Sequence, residues 1–352
     1  MHKRMPAMIL ALFCLFGEVM CRRPEQAAAK VRTPARAGQF YPGTRDALGG
    51  MVKQFLDRAA ATHPAGEVIG LWAPHAGYPF SGQIAANAYR MVQGGSYEEV
   101  MIIGPSHYAD FPCAAIGDWD SVRTPLGGVA VDVSLVRALD EASELVSVIP
   151  GVDAEEHSVE VQIPFLQMVL PGVPVVPVLV RDLSFRQAEA LARSLTIAVG
   201  RRKVLLVASS DMSHFPSYKD ACEVDAKVLD AVRVYDARKV ISLNRDLPAR
   251  GIPGLGCALC GAGALATVML ASHDLGADQA FMLPYANSGD TGGDRDRVVG
   301  YGAAAFLNPS PSTEGATWKP SDSLPKRREN CSVSPAKAFL PRWREDFPNP
   351  TT

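Results

Sequence analysis

Five short apolar runs occupy the middle of the chain, and their alternation with amphipathic stretches restricts the fold more than any other feature. Val68 to Ala73, Val100 to Gly104, Val173 to Val180, Val204 to Ala208 and Val298 to Phe306 have the length and β-branching of strands. Several are apolar on both faces, as central strands covered by helices must be. Phe185 to Val199 has a helical period, with Ser184 as candidate N-cap and Gly200 as stop signal, and Ala221 to Val234 also has a helical pattern. The alternation predicts an α/β fold, a single-domain sandwich with a mostly parallel or mixed central sheet.

The 352 residues are 47% hydrophobic and 20% charged, enough to bury one large core. Residues 31–307 show neither an internal repeat nor a Pro/Gly/Ser linker, so they form one expected domain. Residues 1–30 differ from it. MHKRMPAMILALFCLFGEVMC is a basic stretch followed by an apolar segment from Met8 to Gly17, too short to span a bilayer. It resembles a signal peptide, although Glu18 interrupts it and the small residues Ala27 to Ala29 stand far downstream. Two localisations stay open: export if the leader is genuine, and the cytoplasm if the start is over-extended. Residues 308–352 are rich in Pro, Ser and charge, the composition of a disordered tail.

Lys and Arg number 35 against 37 Asp and Glu, so no basic excess exists to hold nucleic acid. No stable membrane span is expected either. Seven scattered cysteines do not make a disulfide scaffold.

The histidines carry the functional signal. Four lie in APHAGY (His75), GPSHY (His107), EEHSVEVQIPF (His157) and SSDMSHF (His214), and three of these, His75, His107 and His214, directly follow strand-like runs. Ligands of open α/β sheets bind at the carboxyl ends of strands, so these three histidines can meet in one pocket, as metal ligands or as acid and base. A single histidine of this kind is as easily a hydrogen-bonded loop residue; the repetition favours a shared site. Asp211, three residues before His214, adds a carboxylate to the same turn.

Cys260 lies in GIPGLGCALCGAGALATVMLA, where a helix start would favour its thiolate as ligand or nucleophile; a small buried apolar residue is the alternative. With Cys257 it forms a CxxC, which also permits a dithiol pair. Asp290, in SGDTGGDRD, is placed in a tight loop before the last strand, facing the pocket or not. Glu155, Glu156 and Glu160, around His157, look like a helix start with a solvated carboxylate face, paired acid/base groups being the alternative. Tyr78 and Tyr108 would offer a phenol to a ligand or wall the cleft.

From RAGQFYPG through APHAGYPFSG, IIGPSHY, TPLGGVAVD, EEHSVEVQIPFLQ, SSDMSHF, CG, SGDTGGD and VVGYGAAAF, the chain resembles the MEMO-like family, known in bacteria and archaea as AmmeMemoRadiSam system protein B. The resemblance spans residues 35–307. It implies the fold of class III extradiol dioxygenases and a transition metal, iron or copper, held by two histidines and a cysteine. Carried over by motif, the ligands would be His75, His107 and Cys260, with Asp211 and His214 lining the pocket; the role of His157 is left open. Radical SAM and AMMECR-type proteins are the partners implied.

Two imidazoles and a thiolate suit Cu(I) or Zn(II) and tolerate Fe(II), whereas the dioxygenases use a carboxylate in place of the thiolate. The leading expectation is a metal-dependent redox enzyme of unknown substrate, with His214 as catalytic acid and base and Asp211 orienting it. The rivals are a non-catalytic copper- or iron-binding or partner-docking protein, and a zinc-dependent hydrolase.

Overall fold

A computed structural model of the chain describes residues 28–59 and 65–309, so most of the expected leader and nearly all of the expected tail lie outside the described residues. Eight strands form the main sheet: β1 (Glu67–Ala73), β2 (Glu99–Pro105), β3 (Ala114–Ile116), β4 (Val146–Val148), β5 (Val175–Val180), β6 (Val204–Ser209), β7 (Gln279–Met282) and β8 (Ala304–Asn308). Their spatial order is β7-β8-β1-β6-β2-β5-β3-β4. The four central strands, β1, β6, β2 and β5, are parallel. Antiparallel β8 and β7 extend one edge, and β3 joins β5 antiparallel at the other. The sheet is therefore mixed around a parallel centre, and β2, β5 and β6 are buried at every position.

The helices are α1 (Arg45–Arg58), α2 (Tyr78–Arg90), α3 (Val133–Ala142), α4 (Ile163–Val169), α5 (Phe185–Val199), α6 (Tyr218–Arg233), α7 (Ala237–Asp246) and α8 (Ala262–Asp274). Connection β1-α2-β2 crosses the sheet in one direction and β5-α5-β6 in the other, so right-handed crossovers place α2 and α5 on opposite faces. Helices α1 and α4 pack with α2, while α3 and α8 pack with α5, giving the sandwich. Helix α5 spans the residues its period predicted. Ser184 and Gln187 close a capping box at its start, and Gly200 ends it at φ 61°.

One expected strand is broken. Val298 to Phe306 divides into Gly300–Tyr301, paired with Ala286–Asn287, and β8. Gly302 sits at the break, where a Cβ would lie 2.4 Å from the Trp72 ring and 2.7 Å from Met212 Sδ. The main chain therefore passes over Trp72 in place of a side chain.

Candidate metal centre

Strands β1, β6 and β2 are neighbours and run parallel, so the loops leaving their carboxyl ends start side by side. Those loops carry His75, Asp211 with His214, and His107 respectively. Cys260 arrives from the turn before α8. Gly261 makes this approach feasible, since a Cβ there would lie 2.7 Å from the Ser209 carbonyl oxygen and 2.8 Å from Ser210 Cβ. Ligand atoms of His75, His107 and Cys260 all fall within 4.8 Å of one another.

Hydrogen bonds settle which imidazole nitrogens are free. Ser209 donates its hydroxyl proton to the Ser158 carbonyl at 2.6 Å and accepts from Gln162 Nε2 at 2.7 Å. Its oxygen can then only accept from His75 Nδ1, 3.0 Å away. The proton of His75 is thereby fixed on Nδ1, and the Nε2 lone pair faces Cys260 Sγ at 3.2 Å. His107 is fixed the same way, its Nδ1 donating to Glu156 Oε1 at 2.9 Å. Both histidines thus present Nε2 with the other nitrogen tied to an oxygen, the arrangement usual for metal-bound imidazole.

Burial pushes the Cys260 thiol well above its ordinary range, with the Asp211 charge adding to the effect. Burial also holds His75 well below its ordinary value, helped by His107. The metal-free pair is therefore neutral, a thiol against an imidazole lone pair. The expectation of a helix-favoured thiolate fails because desolvation outweighs the helix terminus, and the Asp211 N–H, 3.3 Å from Sγ, does not compensate. A cation replacing the thiol proton would satisfy both donors, so these residues fit a soft or borderline metal.

Glu156 and Glu160 form no solvated face. They are 1% and 0% exposed, beside a single turn of 3₁₀ helix at Glu160–Gln162. Glu156 accepts from the backbone N–H groups of His107, His157 and Ser158 as well as from His107 Nδ1. Burial opposes its charge, but the hydrogen bonds from the His107 side chain and backbone hold it well below the usual carboxylate range. Glu160 pairs with Arg32 at 2.7 Å.

His157 belongs to the same cluster. Its ring stacks on His107 at 4.4 Å and meets His75 edge-on at 5.3 Å. Burial, then His75 and His107, bring it down to about 3, so it is neutral. His214 donates Nδ1–H to the Met212 carbonyl at 2.8 Å. Asp211, by contrast, accepts from the backbone N–H of His75 and Ala76. The orienting partner of His214 is thus a main-chain oxygen, and Asp211 seats the His75 loop; burial raises its carboxyl although His214 opposes this.

The other candidates sit around this centre. Cys257 is a free thiol pushed up to about 12 by burial, and its carbonyl accepts from the His214 N–H at 3.1 Å. Cys260 is free as well, so the CxxC is not a disulfide. Tyr78 is buried with its hydroxyl on the Val161 carbonyl, a wall residue, whereas Tyr108 is 53% exposed. Asp290 braces its loop by accepting from Tyr218 and from the Asn287 N–H. Ser209 and Gln162 carry no local signal in the sequence; for Glu156, whose carboxylate turns inward and not to solvent, adjacency to His157 is the one available signal, and its partner His107 lies 49 positions away.

Among known proteins, the Memo-like protein family matches residues 32–305. A MEMO1 family protein of Nitrosopumilus maritimus is 31% identical over 79% of this chain and 100% of its own length. Those of Ignicoccus hospitalis and Thermoplasma acidophilum are 32% and 33% identical, each over 79% of this chain and 99% of their own. A crystal structure of an uncharacterized Escherichia coli K12 protein is a remote likeness, with TM-score 0.45 and 12% identity over 68% of this chain and all of that one. With the family matched across nearly the whole described domain, and with relatives aligned over almost their full length, the chain belongs to the Memo-like family.

Proposed function

We propose that this protein is a metal-dependent redox enzyme holding iron or copper on His75, His107 and Cys260. The observation that carries the reading is the convergence of ligand atoms of His75, His107 and Cys260 within 4.8 Å of one another, both imidazoles fixed from behind. When bound, the ion would supply a Lewis-acidic and one-electron redox centre. The chain's own residues do the rest. Ser209 with Gln162, and Glu156, hold the two ligand rings in orientation. His214, tied through Nδ1, keeps Nε2 to accept or return a proton at a substrate oxygen. The His107 side chain is 30% exposed against 2% for His75, so substrate would enter from the His107 side.

Dioxygenase chemistry is not carried over, because the ligand set that the family resemblance implies has the Cys260 thiolate in place of the dioxygenases' carboxylate. Association with radical SAM and AMMECR-type proteins belongs to this reading as the family resemblance implies it. The test is anaerobic loading with Fe(II), Cu(I) or Zn(II), then oxygen uptake with a reductant and ester or amide hydrolysis. Uptake with iron or copper, diminished in His214→Ala at unchanged metal content, is the expected result. Tight binding without turnover would make it a metal-holding protein, and zinc-dependent cleavage a hydrolase. Failure of the wild type to retain any of the three ions would refute the reading.

A further inference from the structure

The turn from Arg36 to Tyr41 closes one side of the histidine cluster. Buried Glu160 anchors it, accepting from the Ala35 and Arg36 N–H groups, the Tyr41 hydroxyl and the Arg32 guanidinium. Two side chains of the turn pack on aromatic rings in and around the site. Phe40 lies 4.7 Å from His157, ring to ring. The Arg36 guanidinium lies over the Tyr108 ring at 4.9 Å. Tyr108 is in turn 6.3 Å from the His107 ring and 6.1 Å from that of His157. Arg36 and Tyr108 therefore form a lip on the side where His107 is open.

The charge on this lip is uncompensated. Arg36 Nη2 donates to the Glu155 carbonyl at 3.0 Å, and Nε is buried with no hydrogen-bond partner. Among the described residues no carboxylate lies within ion-pair distance of Arg36. Arg32, in the same segment, is satisfied by Glu160 and Asp153. Glu156, the ionised group beneath, has both oxygens occupied by N–H donors, which blunts its repulsion of an incoming anion. A planar guanidinium with spare donors, half-buried against an aromatic ring, matches a carboxylate or phosphate fork.

We propose that the site takes its substrate as an organic oxyanion, carboxylate or phosphate ester, with Arg36 holding the anionic group and Tyr108 walling it. The inference rests on the proposed function only for what happens at the other end of the substrate. Anion capture at the lip needs no metal, so it is tested on chelator-treated full-length protein. Benzoate, inorganic phosphate and the neutral analogue benzamide are titrated, and ligand NMR gives the affinities. Benzoate or phosphate should bind the wild type at least about tenfold more tightly than benzamide, the scale of one charge-assisted bond. Preference for benzoate indicates a carboxylate substrate, and for phosphate a phosphate ester. Arg36→Gln and Arg36→Met should each abolish that preference while taking up as much metal as the wild type. Equal binding of benzamide, absence of anion binding by the wild type, or an undiminished preference in either folded variant would overturn the proposal. A wild type that binds anions through Arg36 but retains no metal would leave it standing and refute the proposed function alone.

Discussion

Replacing Glu156 by Gln separates a group that merely fills space from one that fixes His107. Oε1 takes three N–H donors, from His107 Nδ1 and the backbones of His157 and Ser158; Oε2 takes the His107 backbone N–H. A glutamine keeps one acceptor oxygen. Turned to serve the three donors, it sets its NH₂ group against the His107 backbone N–H. The lost bond and the unmet buried donor together cost about 3 kcal/mol. The three surviving bonds drop from charge-assisted to neutral, roughly 1 kcal/mol more. About 4 kcal/mol in a domain of this size lowers Tm by roughly 10 °C. Because the folded Glu156 titrates well below its ordinary 4.5, its contribution is fully present above that value and is lost only as pH falls far into the acid range. The deficit of Glu156→Gln should therefore be constant from about pH 8 to about pH 5. With the His107 proton no longer held by a carboxylate, metal affinity measured by chelator competition should fall about 10- to 100-fold. A variant with unchanged metal affinity and a Tm within a degree or two of wild type would refute this account of the carboxylate.

The remaining predictions concern the thiols, the proton balance and a second buried carboxylate. Cys260→Ser should lose most of the metal in elemental analysis while Cys257→Ser keeps it, and the reverse pattern would move the ligand to Cys257. Because burial keeps the Cys260 thiol protonated and His75 neutral, each metal bound should release one proton, so affinity near neutral pH should rise about tenfold per pH unit. A pH-independent affinity would contradict a protonated thiol. Asp225, fully buried, accepts from the Ser213 N–H and the Tyr285 hydroxyl, and burial raises it from 3.8 to about 7. A folded value above the unfolded one means that stability is full below about pH 4 and declines as pH rises through 7, by about 4 kcal/mol from this group. Between about pH 5 and pH 8, denaturant titrations should read about 3 kcal/mol of that decline in the wild type and none of it in Asp225→Asn, and an identical decline in the variant would show the carboxylate is not its source.

The layered architecture is legible along the chain, because burial on both faces writes unbroken apolar runs into strands such as Val204–Ser209, and capping chemistry marks the ends of α5 with Ser184 and Gly200. The sequence also pointed to where chemistry would gather, since His75, His107 and His214 each follow such a run. Pairing across long separations was not legible. Nothing local announces that Glu156 would be drawn under His107, that Ser209 and Gln162 would lock the proton of His75, or that a main-chain oxygen at Met212 would hold His214 where Asp211 was expected. The strand predicted from Val298 to Phe306 broke for a similar reason, as Gly302 answers to the ring of Trp72 far away in sequence. Local propensity and periodicity are properties of neighbours along the chain. Tautomers, buried charge and the shape of the lip are properties of neighbours in space, and only the parallel order β1-β6-β2, which sets three loops side by side, created those.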